Sequence, residues 1–295
     1  MTEPGTPRDA VEAQGIASTG PTAPTDEEWT DAFRAAVAVQ RQIFSDRHGI
    51  AARTEYEGIG EGGDRTLVID RLCEDAIFAE LARIHERGHE FTAISEERGT
   101  VSFGSPRAPL WVVIDPIDGS LNARRTIPCH SVSIAVATGD SMADVTLGYV
   151  YEFGAGEEFI ATLGGGATVD GEPISTPSGD GIEVVAMEAT KPERVRAAAE
   201  SLSGAAYRLR SPGTIAVSLC YVAGGRFDGM ITTRNCRSVD AAAAQLIARE
   251  AGAALQFAGF ELSEAPLDLS ARYDVAAART PADLAVLRKA QDAVD

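Results

Sequence analysis

The chain has 295 residues, with 44 acidic against 26 basic side chains and a formal charge of −18; no basic stripe offsets that field, which excludes nucleic-acid backbone binding as its main function. No apolar run reaches membrane-spanning length and no basic-then-apolar leader opens the sequence, so it reads as soluble and cytoplasmic with no membrane partner, its four cysteines (Cys73, Cys129, Cys220, Cys236) lacking C-x-x-C spacing and reading as reduced thiols. Lys191 and Lys289 are the only lysines, and so acidic a surface reads as halophilic adaptation to a salt-rich cytoplasm, with high-GC codon bias as the alternative.

Residues 1–28 are rich in Pro, Thr, Gly and acid without apolar periodicity, and read as a disordered acidic tail. A Thr25-Asp26-Glu27-Glu28 start signal then precedes Trp29, Phe33, Val37 and Phe44, whose spacing predicts a first helix. Residues 55–65 are Gly-rich and acidic, either a mobile loop beside a site or an ordinary connection. Asp70, Leu72, Cys73, Ile77, Phe78 and Leu81 begin and line a second amphipathic helix. A short apolar stretch from Phe91 ends in the adjacent acids Glu96 and Glu97.

The most informative stretch follows. Trp111-Val112-Val113-Ile114 predicts a strand buried on both faces, and acid begins abruptly at its end in Asp115-Pro116-Ile117-Asp118-Gly119-Ser120-Leu121-Asn122. Pro116 keeps Asp115 extended, while Gly119 permits a sharp turn into a helix whose N-terminus suits phosphate. Strands are predicted over 130–137, 145–153 and 158–162, with Gly164-Gly165-Gly166 and Asp170-Gly171 as hairpin turns. From about residue 177 strand and helix alternate: 182–186, 192–202, 207–209, 214–222, 228–232, an alanine-rich helix headed by Asp240, then Ala276-Ala277 and a final helix from Pro281. This divides the chain into an N-terminal α+β subdomain over 29–177, carrying the acid signature, and a C-terminal α/β subdomain over 178–295.

Carboxylates this close repel one another unless a cation sits between them, and hard oxygen ligands suit Mg²⁺ or Mn²⁺. Each acid also has a plainer reading: Asp115 starting a turn, Asp118 and Asp240 capping helices, Glu96-Glu97 a solvated strand end. His48, His85, His89 and His130 lack converging spacings, so they read as structural or solvent-facing rather than as zinc ligands.

Together, Glu96-Glu97, Asp115 to Asn122, and Val239-Asp240-Ala241-Ala242-Ala243-Ala244 with Glu250-Ala251-Gly252-Ala253 resemble the signatures of the inositol monophosphatase family of Mg²⁺-dependent phosphatases. The match spans residues 64–280 and departs from the family pattern at Val239, Ala244 and Ala253. The resemblance implies a layered αβαβα sandwich, α+β and α/β in class, and a homodimer. It implies two or three Mg²⁺ per site, with Mn²⁺ as an alternative. Glu96, Asp115 and the Ile117 carbonyl would hold the first metal, and Asp115, Asp118 and Asp240 the second. Ser120 would orient the attacking water, with Asp70 and Glu97 behind it, and the Gly119 and Ser120 backbone would hold phosphate. A third metal would be shared by Glu96 and the Gly-rich loop.

The substrate implied is a small phosphate ester of a sugar or polyol. Asn235-Cys236-Arg237-Ser238-Val239-Asp240 looks like archaeal members, many of which accept both inositol 1-phosphate and fructose 1,6-bisphosphate. Arg234 or Arg237 would pair with a second phosphate or else balance nearby acid, and Gly213 and Thr214 match the segment lining the sugar side. The alternatives are a 3′(2′),5′-bisphosphate nucleotidase of the same superfamily, a non-catalytic regulatory relative, and a haloacid-dehalogenase-type phosphatase, whose acid spacing differs.

Overall fold

The computed structural model describes residues 23–59, 65–179, 181–189, 191–233 and 235–294. Most of the predicted tail (1–22), the centre of the Gly-rich stretch (60–64) and Arg234 lie outside the described residues.

The first helix, α1 (Asp26–Asp46), begins inside the stretch assigned to the tail. Its start is set by a reciprocal cap: the Glu28 amide donates to the Thr25 hydroxyl at 3.2 Å, and the Thr25 amide donates back to Glu28 at 2.8 Å. Trp29, Phe33, Val37 and Phe44 are all buried, as their spacing predicted. A short α2 (Gly49–Arg53) follows, without a prior signal in the sequence. The ends of the Gly-rich stretch, β1 (Tyr56–Ile59) and β2 (Arg65–Leu67), pair antiparallel. Helix α3 (Val68–Glu86) then packs beside α1.

The next strands are β3 (Phe91–Ser95), β4 (Gly99–Phe103) and β5 (Trp111–Asp118). After the five-residue α4 (Ser120–Arg124) come β6 (Ser131–Ala137), β7 (Val145–Glu152), β8 (Glu157–Thr162), β9 (Gly166–Val169) and β10 (Glu172–Ile174). They form one eight-stranded sheet in the order β10-β9-β8-β7-β6-β5-β3-β4. Only β3 and β5 run parallel, which brings their C-terminal ends, and the acids just beyond them, to one edge.

The rest of the chain gives β11 (Ile182–Glu188), α5 (Pro192–Ser201), β12 (Ala206–Arg210), α6 (Ile215–Ala223) and β13 (Gly229–Thr232). It ends with α7 (Ser238–Glu250), β14 (Ala254–Phe257), β15 (Val275–Ala278) and α8 (Pro281–Asp292). The second sheet has the order β12-β11-β13-β15-β14. Helices α1 and α3 cover one face of the large sheet, α6 and α7 fill the space between the sheets, and α5 and α8 cover the outer face of the small one. The result is the expected layered αβαβα sandwich.

Close approach at the centre explains the alanine run. Ala241 to Ala244 are fully buried, and a Cβ on Gly148 of β7 would lie 2.4 Å from the Ala243 carbonyl oxygen, so only glycine there lets α7 meet the sheet. Val239, Ala244 and Ala253, the departures from the family pattern, are buried at 1%, 0% and 8% exposure, in keeping with a packing role.

Candidate active site

Strand β5 delivers Asp115 to the sheet edge at 2% exposure, and its carboxylate accepts the Ile117 amide at 3.0 Å across the intervening proline. The β5–β6 register slips between Asp115 and Asp118, which re-aims the chain just where the acids begin. Beyond β3 stands Glu96, and the head of α7 supplies Asp240. Glu96, Asp115 and Asp240 each offer one oxygen, and these oxygens lie within 4.8 Å of one another, the one acidic group of this kind found among the described residues. Asp70, Glu96, Glu97, Asp115, Ile117 and Ser120 line a pocket of about 20 Å³ at this point. It adjoins a cavity of about 320 Å³ bounded by Tyr56, Leu121 and Arg124 as well.

Burial and mutual repulsion set the electrostatics. Asp115 is held well above the usual carboxylate range, first by burial and then by the charges of Glu96, Asp118 and Asp240. Burial likewise pushes Glu96 up to about 7, opposed by Arg237, and pushes Asp70 up to about 7 with help from Glu97 and Glu96. Asp70 Oδ1 is buried without a hydrogen-bond partner. The all-oxygen donor set of Glu96, Asp115 and Asp240, crowded by like charge and with the unsatisfied Asp70 oxygen lining the same pocket, fits a hard divalent cation.

Asp118 is placed differently. It stands at the N-terminus of α6, where its Oδ2 accepts the Ala216 amide at 2.8 Å and the Thr214 hydroxyl, and Oδ1 faces the Ile215 amide at 3.3 Å. Its carboxylate is not in the three-acid group. Burial pushes it up to about 7, against the pull of the Thr214 bond. Thr214 is 1% exposed and spends its hydroxyl on Asp118, so it backs an acid rather than facing a sugar, in contrast to the expectation. Gly213 lies at φ +87°, and its amide donates to Glu188 at 3.0 Å. Gly119, at φ +85°, caps α4 where a Cβ would meet the Gly213 and Cys129 carbonyls; Ser120 is exposed at the first helical position. Because α4 has only five residues, the expected helix-dipole contribution is small and the local amides are what remains.

Arg237 lies among the acids. Its guanidinium is 2.6 Å from Glu96 and 3.4 Å from Asp240, and its amide donates to Asp240 at 2.7 Å. In this arrangement Arg237 balances nearby acid, while its guanidinium keeps further N–H donors on a side chain that is 27% exposed.

Three bracing residues carried no assignment from the sequence. Asn122 donates to the Cys129 and Pro212 carbonyls at 2.8 and 2.6 Å, tying the α4 turn to the 212–214 turn. Glu188, at the end of β11, accepts the Ser218 hydroxyl at 2.6 Å, and burial pushes it up to about 8. Glu74 on α3 accepts the Arg98 amide at 3.1 Å and the Ser95 hydroxyl, supporting the turn that carries Glu96 and Glu97. The signal available for Glu188 was an acid closing an apolar strand; for Glu74 and Asn122 there was none beyond the motif itself.

The sequence profile of the inositol monophosphatase family matches residues 25–294. A Methanothermobacter thermautotrophicus protein named fructose-1,6-bisphosphatase/inositol-1-monophosphatase is 33% identical over 234 residues, covering 75% of this chain and 81% of its own. An Archaeoglobus fulgidus protein of the same name is 31% identical over 255 residues, covering 83% and 94%. Among solved structures, a Pyrococcus horikoshii protein described as having similarities for inositol-1 monophosphatase superposes with a TM-score of 0.74 at 23% identity, over 90% of this chain and 99% of that one, which speaks for the fold. With the signature acids at one edge of the same layered sandwich, the chain belongs to the inositol monophosphatase family of phosphoric monoester hydrolases.

Proposed function

We propose that this chain is a Mg²⁺-dependent phosphatase that hydrolyses a sugar or polyol phosphate monoester, inositol 1-phosphate and fructose 1,6-bisphosphate being the substrates to which its relatives' names point. The observation that carries the reading is the convergence of Glu96, Asp115 and Asp240 beside a cavity large enough for a sugar phosphate. In this reading Glu96, Asp115 and the Ile117 carbonyl would hold one metal, and Asp115, Asp118 and Asp240 a second, although the Asp118 carboxylate stands outside the three-acid group and already accepts from Thr214 and Ala216. Bound Mg²⁺ supplies positive charge that acidifies the attacking water and neutralises phosphoryl oxygens. The chain's own residues then do the positioning. Ser120 orients the water from the first turn of α4, Asp70 and Glu97 line the wall behind it, and the Gly119 and Ser120 amides hold the phosphate. Arg237, paired with Glu96 and Asp240, would be the cation nearest a phosphate held at this edge.

The remaining parts of the reading rest on less. A cytoplasmic setting is supported by the absence of disulfides among the described residues, where all four cysteines are free. Among the described residues no helix is long and apolar enough to cross a membrane. A homodimer is supported by the family resemblance, and a division into 29–177 and 178–295 by the passage from the large to the small sheet between Ile174 and Ile182. The test is phosphate release, with and without Mg²⁺, from inositol 1-phosphate, fructose 1,6-bisphosphate and adenosine 3′,5′-bisphosphate. Metal-dependent turnover of the first two is expected; preference for the nucleotide, or release without metal, overturns the reading.

A further inference from the structure

A second cavity, of about 390 Å³, lies outside the acidic site, between the end of α1, α2 and the 126–130 turn. Its wall inverts the charge of the molecule. In a chain of net charge −18, Arg41, Arg53 and His130 line it, and no carboxylate does. Among the described residues neither arginine has an ion-pair partner: the Arg53 guanidinium donates to the Phe44, Arg47 and Ala123 carbonyls at 2.9–3.0 Å and lies 5.0 Å from the Phe44 ring centroid, which fixes its position while no carboxylate answers its charge. An uncompensated, partly desolvated guanidinium is costly to keep unless an anion answers it.

His130 adds the second, independent observation. It is 6% exposed, neither buried ring nitrogen has a hydrogen bond of good geometry, the Ile127 carbonyl being the backbone group that acts on the ring, and it is wedged between Phe44 and Phe153, stacking on the latter at 5.3 Å and 19°. A neutral imidazole carries one N–H donor and one acceptor, and at least one of the two is left without a protein partner in this buried wall. Phe44, Phe153, Ile127 and Pro128 give this cavity flat apolar walls, with Ser45, Thr126 and Gly154 completing its lining.

We propose that this cavity is a binding site for a small organic oxyanion with a planar apolar body, its head taken by Arg41, Arg53 and the His130 N–H and its body by the Phe44 and Phe153 walls. The volume exceeds what a bare phosphate fills and suits a ring-sized ligand. The site is separate from the phosphatase centre and does not depend on that assignment. It adjoins it nonetheless, because the carbonyl of Cys129, next to His130, helps wall Gly119 and accepts from Asn122.

Phenylphosphonate, which has no ester bond to hydrolyse, is the probe. It is titrated calorimetrically into the full chain with no divalent metal added, where the acidic cluster repels an oxyanion. Histidine-selective ¹⁵N spectra, followed in parallel, report whether the His130 ring responds. Saturable binding with a shift of the His130 resonance is expected, at least about tenfold weaker in Arg41→Glu, which alters an exposed position, and absent for uncharged benzyl alcohol. No saturable heat, an unmoved His130 resonance, or undiminished binding by a folded Arg41→Glu protein overturns the proposal.

Discussion

Strands β5 and β11 both carry a buried carboxylate toward their C-terminal ends, Asp115 on the large sheet at 2% exposure and Glu188, the last residue of β11, on the small sheet at 1%. What surrounds the two acids differs. Glu188 meets donors, the Ser218 hydroxyl at 2.6 Å and the Gly213 amide at 3.0 Å, and so braces the turn leading into α6. Asp115 accepts one amide, from Ile117, and otherwise faces Glu96, Asp118 and Asp240, with the Arg237 guanidinium as the opposing positive charge. An acid ringed by donors is satisfied by the fold, whereas a cluster of acids answered by the single charge of Arg237 keeps an excess of negative charge that suits a divalent cation. The same strand-end pattern therefore yields a brace on one sheet and a metal-ligand candidate on the other.

The sharpest way to break this comparison is to neutralise both acids without changing their shape. Asp115→Asn, and likewise Asp240→Asn, is expected to lower turnover by at least about 10³-fold while leaving the circular dichroism spectrum and the cooperative melt in place, because each removes a metal's charge partner and little packing. Glu188→Gln is expected to do the reverse. The amide oxygen can stay on the Gly213 N–H and the NH2 donate to the Ser218 hydroxyl, with the exchange of acceptor for donor at Ser218 weakening the brace, so stability should fall by about 1 kcal/mol while metal-saturated turnover stays within about tenfold of wild type. If Glu188→Gln is as dead as Asp115→Asn, or Asp115→Asn turns over normally, the distinction between brace and ligand fails.

Ser120→Ala probes the same edge with a smaller change. The hydroxyl orients water without contributing a ligand charge, so kcat should drop by about 10²-fold with metal affinity, read by calorimetry, nearly unchanged. An unchanged kcat at saturating metal removes Ser120 from the mechanism.

The two strand ends also show where legibility stops. The β5 end was readable because proline, two acids and glycine are packed into a few residues, each constraining the backbone in a known way. Helices and central strands were readable for a similar reason: their faces are buried, so periodicity is strong, as at Trp29, Phe33 and Val37. Strands β4 and β14 were not, because they are sheet edges whose half-buried residues alternate weakly, and α2 buries none of its residues. Partnership across the chain was invisible altogether. The donors that occupy Asp118 come from residues 96 to 98 positions away, and Arg237 meets Glu96 only after the sheet and α7 have packed.

Proton linkage gives a further test. In the metal-free chain burial pushes Asp70, Glu96 and Asp118 up to about 7 and Glu188 up to about 8. The same groups in the unfolded chain titrate near ~4. Between those values the folded chain binds more protons than the unfolded one, so its stability should fall as pH rises from about 4 toward 8. Saturating Mg²⁺ binds the deprotonated ligands and should flatten or reverse that fall, leaving the contribution of Glu188, which Glu188→Gln would remove. A metal-free melting temperature that rises between about pH 5.5 and pH 8 contradicts the assignment.

Salt separates these buried acids from the acids of the surface and gives the smallest expected effect. With a formal charge of −18 and two lysines, the folded chain repels itself over distances of about 10 Å at 0.1 M salt but only about 3 Å at 1 M. Screening therefore relieves the surface while leaving the repulsion between Asp115 and its neighbours, which is inside the protein, almost untouched. The melting temperature should climb by several degrees from low to molar KCl. Activity should peak at lower salt, because screening also weakens capture of Mg²⁺ and of the anionic substrate at the cavity mouth. Paired KCl titrations of melting temperature and of turnover at saturating Mg²⁺ measure both; a melting temperature that is flat or falling toward molar KCl leaves the acidity as a matter of composition rather than of adaptation to salt.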